Sequence, residues 1–177
     1  MKSSIFTIAA LSIAMMSLID MRPTQAQTTA RQRFRVAVPS NISIVAPDEA
    51  VITHDETNSN QVFPAQRWSV VGNTMSGVSV SFSTPTPFIH VDNPSYKRDA
   101  RLGLVISSSS GPGGWVVTQP FDMTDYASND NSATVTARSN ATGAASFGLS
   151  VTFVTGTYGS FPAGIYETTV VGTITAN

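Results

Sequence analysis

The sequence predicts an all-β protein. Beyond the first 26 residues, apolar and polar side chains alternate with period 2 from one end of the chain to the other. No stretch holds the 3.6-residue period that a helix of ten or more residues would show. Clusters of Gly, Pro, Ser and Asn separate the alternating runs. Each run has one apolar face, and only a second sheet can cover it. Two antiparallel sheets packed face to face as a β-sandwich follow from that need, with a closed β-barrel as the alternative.

The first segment lies outside this pattern. Lys2 gives a small positive start, the run Ile5 to Ile19 is apolar apart from single Ser and Thr residues, and Asp20 and Arg22 close it. Crossing a bilayer takes about 20 apolar residues, so the run reads as a cleaved secretory signal rather than an anchor. Thr24-Gln25-Ala26 places cleavage after Ala26, with Ala30 as the fallback. Residues 1–26 are then the signal, residues 27–177 form one domain, and the product is secreted, cell-surface or periplasmic with no remaining membrane span.

The elements follow in order. Phe34, Val36 and Val38 alternate with Arg33, Arg35 and Ala37 and predict a first strand, ended by Pro39. Ile42 and Ile44 begin a second, and Trp68 with Val70 marks a third. Val78, Val80 and Phe82 alternate with Ser79, Ser81 and Ser83, the pattern of a half-buried strand, and Thr84-Pro85-Thr86-Pro87 stops it. Phe88–Val91, Leu102–Ser107 and Gly114–Thr118 come next, separated by Asn93-Pro94 and by the Ser108–Gly113 run, which reads as loop. Ala133–Arg138, Phe147–Phe153 and one long closing strand, Ile165–Thr175, complete nine or ten.

Charge and cysteine content narrow the function. The chain has 10 basic and 11 acidic residues, a net charge of −1. Lys97 is the only lysine after the signal. No basic stripe is available for nucleic acid or for polybasic attraction to a membrane. Cysteine is absent, so stability rests on the apolar core and on backbone pairing.

The two ends carry a family resemblance. Pro162-Ala163-Gly164-Ile165-Tyr166-Glu167-Thr168-Thr169-Val170 opens the closing strand, and Phe34-Arg35-Val36-Ala37-Val38-Pro39-Ser40 enters a Val-Pro-small turn. Together they resemble the last and first strands of bacterial fimbrial subunits and of spore-coat U type secreted proteins. The resemblance implies an immunoglobulin-like sandwich that either exchanges its N-terminal strand between copies or keeps it as a complete monomer. Phe34, Val36 and Val38 are the assembly strand in this reading. The polar stretch before them, Gln27 to Arg33, favours insertion into the chain's own sheet over donation.

Candidate chemistry is sparse. His54-Asp55-Glu56 and His90-Val91-Asp92 set both histidines beside carboxylates, a ligand set that suits a transition metal. Asp122, Asp125 and Asp130, with Asn129 and Asn131, gather oxygen ligands of the kind calcium takes. No G-x-S-x-G turn or phosphate-binding loop occurs. Trp68 and Trp115 fall at core positions, while Tyr96, Tyr126 and Tyr158 lie beside loops where they could stack on sugars. The sequence therefore points to a non-enzymatic structural or assembly module, fimbrial- or coat-like, partnered by itself or by other surface proteins. The alternative is an extracellular module binding carbohydrate or protein, and no cofactor is expected beyond calcium at Asp122, Asp125 and Asp130.

Overall fold

The computed structural model describes residues 28–177. The expected signal, 1–26, lies outside the described residues. The chain divides into two compact units, Met1–Ala37 and Val38–Asn177, and the described strands all fall in the second.

The second unit is an antiparallel β-sandwich. One sheet has the order β1 (Ile42–Val45), β3 (Gln66–Gly72), β11 (Gly143–Phe153), β7 (Ala100–Ser110), β9 (Phe121–Met123), with β2 (Gln61–Val62) also on β11. The facing sheet has the order β13 (Val171–Ala176), β4 (Val78–Thr84), β10 (Ala133–Ser139), β8 (Trp115–Gln119). A small third sheet joins β12 (Tyr166–Glu167), β5 (Phe88–His90) and β6 (Lys97–Arg98). The sheets end in open edges and do not close into a barrel.

Period-2 patterning places the core. On β4 the side chains alternate buried and half-buried, and Val78, Val80 and Phe82 are the buried set. They face Trp68 and Val70 of β3, Leu102 and Leu104 of β7, and Phe147 and Leu149 of β11. Phe82 meets Trp68 and Phe147 edge to face, with centroids 5.1 and 5.7 Å apart, and Trp115 closes the row on Phe147 at 5.5 Å. Such pairs add roughly 0.5–1.5 kcal/mol each beyond the burial of area. A second cluster gathers Phe88, Ala100 and Phe153 with Phe63, Phe161 and Tyr166.

Three expectations need correction. Phe34–Val38 forms no strand, and Phe34, Val36 and Val38 are 83%, 87% and 79% exposed. The closing strand is two: β12 pairs with β5 and β13 with β4. Between them Thr168 turns aside, its hydroxyl bonded to Thr86 O at 2.7 Å and to the Thr84 hydroxyl at 2.6 Å. The Ser108–Ser110 run is not loop but the end of β7, paired with Ala144–Ser146. The short strands β2, β6 and β9 add to the expected set.

Candidate functional site: a seam between two free strand edges

β1 and β13 are the terminal strands of facing sheets, and they run side by side without pairing. Gly172 makes the approach close, since a Cβ there would stand 2.7 Å from Trp68 Cζ3 and 2.8 Å from Ile44 Cδ1. Ile44, Val170 and Ile174 rest half-buried on the core, while Ile42 and Val171 are exposed. The core is therefore thinly covered along this line. Each strand has a hydrogen-bonded neighbour on one side only, β3 for β1 and β4 for β13.

The same turn pins both strands. Asn73, after β3, accepts the Asn41 N–H at 2.6 Å, donates its own N–H to Asn41 O at 3.1 Å and its amide to Pro39 O at 2.9 Å. Asn177, after β13, donates its N–H to Gly77 O at 3.1 Å and its amide to Ser76 O and Ser139 O. Gly77 holds φ 77°, and a Cβ on it would fall 2.3 Å from Ser139 O. The Asn73–Gly77 turn thus fixes where β1 begins and where β13 ends.

The histidines come together at another place, which their sequence spacing did not reveal. Both flank the second aromatic cluster: His54 stacks on Tyr158 at 5.2 Å, and His90 meets Tyr166 edge-on at 4.9 Å. His54 Nδ1 accepts the Glu56 N–H, and His90 Nδ1 accepts those of Asp92 and Asn93. Their Nε2 atoms then donate, to Thr155 Oγ1 at 3.0 Å and to Ala163 O at 3.2 Å. Every ring nitrogen is occupied by the protein. The Thr155–His54–Asp55 run has the order of a nucleophile, base and carboxylate, but Thr155 is fully buried and its hydroxyl donates to Ser59 O. Arg98 is a further organiser, bonded to Val154 O and Thr155 O and lying 4.9 Å over Phe161.

The carboxylates are likewise spent locally. Asp122 accepts the Thr134 N–H at 2.7 Å, and Asp125 accepts the Ser128 hydroxyl at 2.7 Å. The Ser128 hydroxyl and N–H hold the Asp125 carboxyl below its usual range, and the Thr57 hydroxyl and N–H do the same for Asp55. Asp130 meets Asp125 through the backbone. Among the described residues no three His, Asp or Glu side chains are grouped to hold a metal ion. Burial pushes the Tyr166 phenol above its usual range.

Trp68 and Trp115 are core residues, while Tyr158 and Tyr96 rest on different histidines. On the outer face of β7 and β9, Phe121 is 64% exposed, with the Arg101 guanidinium 5.9 Å from its ring. Compared with family models, with curated proteins and with solved structures, the chain matches none. No helix among the described residues is long and apolar enough to cross a membrane.

Proposed function

We propose that the chain is an exported, non-enzymatic structural module of the cell surface that assembles by strand addition, as a fimbrial or coat subunit does. Phe34–Val38 of one copy is the added strand, and the β1/β13 seam of the next accepts it. One observation carries the reading: an alternating Phe-Val-Val segment stands exposed, and the sandwich has a half-buried apolar seam flanked by unpaired strand edges. Edge addition satisfies both, because backbone bonds extend a sheet at its free edge while alternate side chains cover the half-buried residues along the seam. Light scattering on the purified chain tests it. Concentration-dependent assembly that is lost on replacing Phe34, Val36 and Val38 by Ser is the expected result. A chain that stays monomeric at every concentration, or a Ser variant that assembles equally well, refutes it.

A second reading has its own observation. Phe121 beside Arg101 on an open sheet face is a fit platform for a sugar ring. Glycan binding by the monomer that disappears in Phe121→Ala would favour it.

A further inference from the structure

Charge is segregated along this chain. Arg31, Arg33 and Arg35 are three of its cations, all exposed, and no acidic residue accompanies them between residues 28 and 37. The sandwich unit, Val38–Asn177, has five basic residues against ten acidic ones, a net charge of −5. Three of its five cations are engaged within the unit: Arg67 bonds Ser146, Arg98 bonds Val154 O, and Arg101 lies over Phe121. Among the described residues no arginine or lysine is ion-paired with a carboxylate; the one close contact is His54 with Asp55 at 3.8 Å. The segment 28–37 is thus positive and the sandwich unit negative, each by its own composition.

The acids are not evenly placed. β1 starts and β13 ends at the Asn73–Gly77 turn, so the two strands run antiparallel along the seam, and Ile44 stands level with Gly172. Asp48 and Glu49 follow β1, and Glu167 precedes β13, so all three lie toward the seam's other end, and all are exposed. The period-2 alternation of the arm puts Phe34, Val36 and Val38 on one face and Arg31, Arg33 and Arg35 on the other. A strand lying apolar face down on the seam therefore presents its arginines outward to solvent, free to meet exposed carboxylates beyond the strand ends.

We infer that a second copy of this chain is the arm's partner and that the contact is electrostatically steered, Arg31, Arg33 and Arg35 of one copy being drawn to Asp48, Glu49 and Glu167 at the seam of the next. This rests on the strand-addition reading and adds who is recognised and how the contact is tuned. Charges at the rim of an interface govern encounter rate and salt dependence more than final affinity, and their reach shrinks to about 10 Å at 0.1 M salt. Assembly is then fast in dilute salt and slowed by concentrated salt.

The test uses the purified chain and follows assembly by light scattering from low to high sodium chloride. Two variants accompany it, an arm reversal (R31E, R33E, R35E) and a body reversal (D48R, E49R, E167R). All six positions are exposed, so circular dichroism and melting check that each variant folds. Exposed pairs are individually weak, and three together give about a tenfold effect. Each reversal alone slows assembly about tenfold in low salt, and mixing the two variants restores it, because every arm then finds an opposite body. Assembly indifferent to salt and to both reversals overturns the inference while leaving strand addition standing. A monomer at all salt concentrations overturns both, as does a monomer whose arm instead binds phosphatidylglycerol vesicles.

Discussion

Gly172→Ala tests the closeness of the seam. The added methyl would stand 2.7 Å from Trp68 Cζ3, 2.8 Å from Ile44 Cδ1 and 3.2 Å from Trp68 Cε3. Carbon atoms settle at about 3.5–4.0 Å, so the strands must part, or the side chains shift, by roughly 1 Å. Trp68 cannot yield easily, because it is buried with its ring against Phe82; Ile44, half-buried on an edge strand, is the side that gives. Overpacking of this kind costs about 1–3 kcal/mol. For a chain of this size that lowers the melting temperature by roughly 2–4 °C per kcal/mol. Trp68 reports the change directly through its emission. Ile44→Ala removes one of the two opposing groups, so the double variant should fall short of the summed single effects by roughly 0.5–1 kcal/mol, the sign of two residues in contact. Unchanged melting and emission in Gly172→Ala, or strict additivity in the double variant, would refute a seam closed by side-chain contact.

Four further outcomes follow from the same geometry. Gly164 holds φ 150° with its virtual Cβ 2.1 Å from His90 Nε2, so Gly164→Ala should cost about 1–3 kcal/mol in urea unfolding, whereas alanine at Gly159, where nothing lies within 4 Å, should cost only the strain of its positive φ. Nitrogen shifts of the imidazoles at pH 8 should report the Nε2–H form for both His54 and His90, since each Nδ1 accepts backbone N–H groups; the Nδ1–H form at either would contradict the hydrogen bonding. Tyr166 ionises less readily folded than unfolded because of burial, so its contribution is whole below about pH 10, its unfolded value, and is lost as the pH rises beyond it; Tyr166→Phe should flatten that alkaline loss in melts from pH 8 to 11. Thr173→Lys puts a charge in the middle of exposed β13 and should abolish assembly while shifting stability by no more than about 0.5 kcal/mol.

The sandwich was legible where one strand face differs chemically from the other. β4 reads Val-Ser-Val-Ser-Phe-Ser-Thr, and its burial follows the letters. β2, β6 and β9 are two or three residues long, too short for a period to register. The serines at the end of β7 read as loop by composition, yet backbone pairing with β11 holds them in a strand, with an irregularity at Ser146/Phe147 that lets the register shift. Tyr166, Val170 and Ile174 share one face of the segment from Tyr166 to Thr175, which reads as one strand, yet it divides between two sheets at Thr168, whose hydroxyl reaches back to Thr86 across 82 residues. The meeting of the histidines with the β11–β12 connection has the same origin, since His54 reaches Thr155 across 101 residues and His90 reaches Ala163 across 73. Spacing along the chain holds no trace of such contacts. Phe34–Val38 shows a further limit: it alternates as a strand does, yet it forms none.

The edges of the sandwich are guarded unequally, and that inequality supports the proposed strand addition. Natural sheets block unwanted addition with short edge strands, charges and proline. β9 has three residues and includes Asp122, and β8 runs directly into Pro120. β1 and β13 have no charged residue and no proline in Ile42–Val45 or Val171–Ala176, although β13 is six residues long. The nearest carboxylates along the chain are Asp48 and Glu49, after β1, and Glu167, on β12 before β13. An edge meant only to be shielded would have its charges within the strand, where they repel a neighbour. Charges set beyond an uncharged, half-buried edge leave the backbone free to pair, which is what the proposed strand addition requires.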